Sequence, residues 1–264
     1  MAEQGVGASI NTPTIEQIFR HASVRQYKQD PVSTEMVETV VAAGQRSSTS
    51  SNLQTYSVVA ITDAETKARL AELSGSQGHI LQAPLLLVWC ADLSRLDRVC
   101  EMRGYRQVTS YVESFLVAAA DAAIAMQTAA LAAESMGLGM CYIGAIRNQP
   151  QEVITLLRLP RLVFPISGMT LGWPAVEPLI RPRLPLEAIL HWESYDSGQE
   201  IDALEAYDRT MIETGIYRGR QVAVPGGDGQ EGDYGWLEHS ARRASTAVRT
   251  DLRQVLKQQG FELA

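Results

Sequence analysis

The sequence is poor in everything that would staple it, charge it positively or arm it with a familiar catalytic motif. Its three cysteines, Cys90, Cys100 and Cys141, are odd in number, and none sits in a CxxC or Cys/His ligand spacing. That argues against structural disulfides and against a zinc site, and a reducing, cytoplasmic setting is expected. Cys141 has apolar neighbours and reads as a buried spectator thiol. Lys and Arg number 23 against 30 Asp and Glu, giving a net charge of −7. An acidic chain is a poor ligand for a phosphate backbone, so no nucleic-acid partner is expected, and any bound anion should be held by a local basic cluster. HExxH, P-loop, catalytic-triad and paired-carboxylate patterns are missing, as are internal repeats. The first residues, "MAEQGVGASINTPT", carry neither a basic nor an apolar leader region, so no secretory signal is expected. The one long apolar run, residues 111–137, is mainly alanine and is interrupted by Glu113, Asp121 and Gln127. Each charge would cost roughly 2.5–3.5 kcal/mol at a bilayer centre, so the run predicts a buried helix in a soluble core.

What is present is a succession of capped helices and apolar strands. Thr12 before Pro13 marks a helix start, running to about Arg20. Ser33 caps a second helix with Val37, Val40 and Val41 on one face, which ends in the polar run "GQRSSTSSNLQ". Residues 56–62 read as a strand. Asp63 caps a helix that stops at Gly75, and 83–92 is a continuous apolar run expected to be a strand buried on both faces. A helix over 108–136, a strand over 140–146, a helix near 150–158 and a strand over 164–174 follow. After about 175 the chain turns Pro-rich and extended. A helix near 200–217, a Gly-rich loop at 223–235 and one basic amphipathic helix over 236–260 complete the pattern. Strands and helices interleave as in an α/β or α+β layered domain. Along the long helix, Ala118, Ala122, Ala125, Ala129 and Ala133 form a small-residue stripe that suits either a core helix or a helix packed across a dimer.

Five short stretches carry donors rather than nucleophiles. They are His21-x-Ser23-x-Arg25; the hydroxyl run 46–54; "SGSQGH" at 74–79, with Gln77 among glycines; "GLGMCYIGAIRN" at 137–148; and the pair Arg181 and Arg183 around Pro182. Singly, each reads as well as an ordinary turn or core segment. The fourth is no dinucleotide fingerprint, because its glycines follow a helix with the wrong spacing. Together they suit a phosphate and a planar heterocycle, which is all that a prosthetic nucleotide doing its own redox chemistry requires.

In this order and at these separations, "HxSxR", "SSTSSNLQ", "SGSQGH", "ESMGLGMCYIGAIRN", "LGWP" and "RPRLP" resemble the nitroreductase superfamily, in its oxygen-insensitive NADPH nitroreductase and NADPH:flavin oxidoreductase branch, over residues 12–256. The resemblance implies an α+β homodimer with a central, mainly antiparallel sheet flanked by helices. FMN would bind at the subunit interface, with each monomer contributing to both sites. Residues 12–175 would form the FMN-binding core and 176–264 a dimer-wrapping arm, a mobile loop and a C-terminal helix, within one structural domain overall. By position, the resemblance puts His21 and Ser23 near the flavin's phosphate and ribityl end and Arg25 at the N1/O2 edge, where it would stabilise the negative charge that hydride uptake puts on the ring. Thr49 stands where the family usually has Ser. Gln77 would bond the pyrimidine edge. Tyr142, Ile143, Gly144 and Ala145 match a flavin-contacting segment, with Ala145 where a second Gly is common. Arg181 and Arg183 match a basic pair on the phosphate. Arg218 matches an arginine that pairs with the 2′-phosphate of NADPH, although the loop that follows it here is unusually long and Gly-rich. The implied activity is two-electron, ping-pong reduction of nitroaromatics, quinones or flavins, with no protein nucleophile and no metal. The alternatives are a dedicated NADPH:FMN reductase and a non-catalytic FMN-binding regulatory dimer.

Overall fold

A four-stranded sheet organises the chain. In the computed structural model, which describes residues 10–224 and 232–264, strands β1 (Tyr56–Ile61), β2 (Leu85–Asp92), β3 (Gly139–Ile143) and β4 (Val163–Gly172) lie in the order β1-β2-β4-β3, and every pairing is antiparallel. The run at 83–92 is a central strand as expected: every residue of β2 is buried. Its side chains alternate between two apolar layers. Leu85, Leu87 and Trp89 enter one, and Leu86, Val88 and Cys90 the other. Pro165 sits in the neighbouring central strand because the register slips there. Trp89 pairs with Ser167 and Cys90 with Pro165, leaving Ile166 as the extra residue of a bulge, the setting in which a strand tolerates proline. The Ile166 carbonyl accepts a hydrogen bond from Arg147 Nη1.

Contacts divide the chain into two compact units, one comprising Thr12–Ile180 with Arg249–Ala264 and the other built on Arg181–Val248. In the first, α1 (Pro13–Phe19), α2 (Thr34–Gly44) and α3 (Ala64–Leu73) begin at the caps read from sequence, with Thr12, Ser33 and Asp63 side chains accepting from Ile15 N, Met36 N and Thr66 N. The short α4 (Gly78–Gln82) and α5 (Ser94–Met102) are additions to the expected pattern. Residues 94–102 are largely polar, with only Leu96, Val99 and Cys100 on an apolar face, and Asp92 accepts from both Ser94 N and Ser94 Oγ, at 2.9 and 2.6 Å, at the start of α5.

The long helix α6 (Val112–Ser135) begins four residues later than expected. All five alanines of its stripe are buried. A Cβ built on Gly44 of α2 would come within 2.9 Å of the Ala125 carbonyl oxygen, which shows how closely the two helices approach. Helix α7 (Pro150–Leu156) covers the other layer.

The second unit holds the extended arm, α8 (Glu200–Thr214) and α9 (Trp236–Ala244). Helix α8 stops three residues short of the expected end, because Gly215 takes a left-handed conformation with φ of 62°. The single C-terminal helix expected over 236–260 is two helices. Residues 245–251 interrupt it, with Arg249 at φ of 56°. The second piece, α10 (Leu252–Gln258), belongs to the first unit, where Val255 and Leu256 pack with Phe115, Phe164 and Phe261. The two pieces belong to different units. Of the Gly-rich loop expected at 223–235, residues 225–231 lie outside the described residues.

Candidate functional site

In the first unit the sequence-predicted residues gather beside the edge strand β3. The segment after α1 runs along that edge. Val24 N donates to Met140 O at 2.8 Å, Tyr27 bridges to Pro174, and Lys28 N donates to Trp173 O at 2.8 Å. The Tyr27 hydroxyl donates to Val24 O and lies 2.8 Å from Thr170 Oγ1. Two glycines permit this close seating. A Cβ on Gly139 would lie 2.4 Å from Val24 Cγ2, and one on Gly172 would lie 2.5 Å from Pro84 Cδ and 3.0 Å from Tyr27 Cδ1. The alternate residues His21, Ser23 and Arg25 therefore ride on a backbone fixed at both ends.

His21 Nδ1 meets Glu134 Oε1 at 2.6 Å. Ser23 is half-buried, and Arg25 is exposed. Arg25 also marks where the strap meets the "SGSQGH" turn. Burial first, and then the Arg25 charge, hold the His79 imidazolium below its ordinary value. Gln77 leads into α4 and donates from Nε2 to Ser74 O at 2.9 Å. His79 Nε2 and Ser74 Oγ, on the same turn, are buried without a hydrogen-bond partner among the described residues.

Tyr142 and Ile143 close β3, and Gly144 and Ala145 open a 3₁₀ turn, Gly144–Arg147; the strand expected to reach 146 ends at Ile143. The Tyr142 hydroxyl donates to Gln127 Oε1 at 2.8 Å, and burial, reinforced by the Glu134 charge, pushes its phenol well up. The Ile143 side chain belongs to the core, so only its backbone is open to a ligand. A Cβ on Gly144 would meet nothing nearer than Arg147 Nη2 at 3.5 Å, which leaves that backbone accessible.

Thr49 is held elsewhere along α6. It precedes a 3₁₀ turn, Ser50–Asn52, in a loop where Ser51, Asn52 and Gln54 all have positive φ. Asp121 pins this loop, accepting from Ser50 N at 3.0 Å, Thr55 N at 3.1 Å and Thr55 Oγ1 at 2.8 Å. Ser47 Oγ donates to Thr128 Oγ1 at 2.7 Å. Asp121 precedes Glu134 by 13 residues on one helix, about 20 Å along its axis.

In the second unit, Arg183 Nη1 donates to the carbonyls of Arg181 and Pro182, at 3.0 and 3.2 Å. Both guanidiniums lower the Tyr207 phenol, against the larger upward effect of burial. Arg218 is exposed in the turn after Gly215. A concavity of about 380 Å³ in this unit is lined by Leu186, Leu190, Trp192 and their neighbours, with Glu187 and Asp196 among them. It contains none of the predicted positions, and its two carboxylates suit an anionic nucleotide poorly.

Sequence reasoning missed Glu134, Gln127, His79 and Asp121. Each had a faint signal. Asp121 is a carboxylate inside an alanine run, and Glu134 is a carboxylate at the carbonyl end of a helix. The residues beside β3 fit a planar, anionic, hydrogen-bonding group such as FMN: an exposed guanidinium, an open glycine backbone, and buried polar atoms without partners.

Comparison with known proteins agrees with this geometry. The sequence matches the nitroreductase family over residues 18–173 and the C-terminal domain of that family over 181–264. It is 38% identical over 252 residues to an FMN reductase [NAD(P)H] of Bacillus subtilis, covering 94% of this chain and 98% of the relative. It is 35% identical over 250 residues to an oxygen-insensitive NADPH nitroreductase of Salmonella typhimurium, covering 95% and 98%. The structure of NfrA2 from B. megaterium superposes with a TM-score of 0.88 at 37% identity, covering 96% of this chain and 100% of that one. An antiparallel sheet flanked by helices, a strap of alternating donors on its edge and two family matches that together span most of the sequence lead to one conclusion: the chain belongs to the nitroreductase family.

Proposed function

We propose that this chain is an FMN-dependent oxidoreductase that takes electrons from NADPH and delivers them, two at a time, to nitroaromatics, quinones or flavins. The observation that carries the reading is the convergence of the His21–Arg25 strap, the Gln77–His79 turn and the Tyr142–Ala145 segment beside β3. FMN, when bound, supplies the hydride and electron chemistry. The protein's own part is electrostatic and geometric. Arg25 brings a permanent positive charge, and the Gln77 amide can both donate and accept at a heterocycle edge. The backbone of Gly144 and Ala145 offers close approach. Tyr142 is no proton donor, since its hydroxyl is bonded to Gln127 and its phenol is raised by burial. Cys141 is buried and Cys90 is pushed up to about 12 by burial, so neither thiol suits a nucleophile. Arg181 and Arg183 are assigned to the flavin phosphate and Arg218 to the 2′-phosphate of NADPH. Replacing Arg218 with Ala should raise KM for NADPH about tenfold and leave KM for NADH nearly unchanged, since the lost charge pair is worth roughly 1.4 kcal/mol. Equal effects on both would remove that assignment.

A homodimer is part of the same proposal. Helix α6 leaves Leu116 and Ile124 exposed, at 59% and 48%. The His21–Glu134 contact lies toward one end of this helix and the Thr49 loop about 20 Å away. Two antiparallel copies would bring the Thr49 loop of one to the His21 end of the other, so that Thr49 would complete the site across the interface. A cytoplasmic setting is proposed with it, consistent with three cysteines of which none is in a disulfide.

The deciding measurement is simple. Purified protein should be yellow, should release FMN on denaturation and should bleach anaerobically with NADPH. A colourless protein that ignores added FMN refutes the reading, and FMN binding without NADPH oxidation would support a regulatory dimer instead. The relatives' names also support a second reading, a dedicated flavin reductase. Turnover with free FMN far above turnover with any nitroaromatic or quinone would favour it.

A further inference from the structure

Glu134 is an unexpected place for a carboxylate. It lies in the last turn of α6, where unsatisfied carbonyls make the helix end negative. Its side chain is only 8% exposed, and its Oε2 is buried with no hydrogen-bond partner among the described residues. A carboxylate removed from water in that position is costly unless a specific partner holds it. That partner is His21, 113 residues away in sequence, whose Nδ1 lies 2.6 Å from Oε1. The strap that carries His21 is locked to the edge of β3 by the Val24–Met140 hydrogen bond and by the close seating over Gly139. Glu134 therefore meets a ring whose backbone is already placed, and what remains for it to set is the ring's rotation and tautomer. With the carboxylate as acceptor, the contact uses the Nδ1–H of His21 and turns Nε2 toward a ligand. Glu134 faces two further polar groups on neighbouring elements: Tyr142, whose ionisation its charge opposes, and Gln127, which takes the Tyr142 hydroxyl.

We propose that Glu134 is a positioning residue for the phosphate end of the flavin site: it fixes the His21 ring through Nδ1 so that Nε2 is presented to the phosphate. The inference rests on the flavin-site reading above. It assigns to Glu134 a role through His21 and no contact with the flavin itself. The arrangement parallels metal-bound histidines, whose second nitrogen is held by a carboxylate or carbonyl and whose metal affinity falls about 10- to 100-fold when that partner is lost.

The test uses the full chain stripped of flavin and titrated with FMN and with riboflavin, which lacks the phosphate, followed by flavin fluorescence quenching. In Glu134→Ala, the FMN dissociation constant should rise about tenfold or more while that for riboflavin changes less than about twofold. Glu134→Gln keeps an acceptor for Nδ1–H and should recover most of the FMN affinity. Nitrogen NMR of the imidazoles, of which the chain has four, should show the His21 proton on Nδ1 in the flavin-free wild type and on Nε2, as in free imidazole side chains, in Glu134→Ala. Unchanged FMN affinity, an equal loss for FMN and riboflavin, or an unchanged His21 ring spectrum would each overturn the proposal. Because the ring spectrum is recorded without flavin, a protein that binds no FMN would refute the functional reading while Glu134's hold on His21 is still measured.

Discussion

The sheet core and the 47–55 loop are built on opposite principles, although α6 touches both. The core between the sheet, α2 and α6 is apolar and interlocked. Trp89, Leu87 and Met169 are wholly buried, the alanines of α6 bring the helix close, and many small contacts share the stabilisation. The loop is polar and half-exposed, and three of its residues hold positive φ. One buried carboxylate, Asp121, accepts three of its hydrogen bonds, and Thr128 and Arg95 hold Ser47 Oγ and the Gln54 carbonyl. The difference teaches where each kind of damage goes. A core lesion is felt as global stability. A loop lesion is felt first as lost local geometry, since strained backbone persists only while its surroundings over-determine it.

The largest effect should come from the core. Trp89→Ala should cost roughly 3–5 kcal/mol and lower the melting temperature by about 10 °C, measured by calorimetry or chemical denaturation. A loss below 1 kcal/mol would mean that the layers are not interlocked as described.

A smaller effect is expected at the anchor. In Asp121→Asn, the amide would turn a donor toward the Thr55 donors or leave Ser50 N without its partner, at a cost of about 2 kcal/mol. Limited proteolysis should then cut at residues 50–54 well before the protein unfolds. Proteolysis that appears only with global unfolding would erase the contrast between the two regions.

The smallest stability effect should come from Arg25→Ala. This exposed guanidinium has no carboxylate partner among the described residues, so its removal should shift stability by less than about 0.5 kcal/mol. The same substitution should slow anaerobic reduction by NADPH by about tenfold or more, the loss expected when a charge aimed at the reacting group is withdrawn. A variant that is unstable and fully active would invert the assignment of Arg25 to the site.

Local signals made much of the fold legible. Thr12, Ser33 and Asp63 cap helices because a short polar side chain reaches a backbone N–H three residues on, a distance that sequence spacing encodes. The apolar run of β2 announced burial on both faces. The donors at His21, Ser23, Arg25 and Gln77 were also readable, because their pattern suits a nucleotide. Helix α5 was hidden, since the group that starts it is Asp92, at the end of the preceding strand. The break between α9 and α10 was hidden because one amphipathic stripe looks continuous until its halves are seen to fall in separate units, with Val255 and Leu256 of α10 packing on Phe115, Phe164 and Phe261.

By itself, then, the sequence determined the succession of elements, the central strands and its membership of a family, because each rests on short-range periodicity, caps or ordered motifs. Only the tertiary structure decided which carboxylates matter. Glu134 and Asp121 lie on one helix, 13 residues apart. One holds a histidine from the strap and the other a strained loop, and nothing in their local spacing shows it. Such pairings cross 113 and 66 residues of chain, and they exist because the sheet and α6 pack in one register, which brings the strap to the last turn of the helix and the loop to its middle.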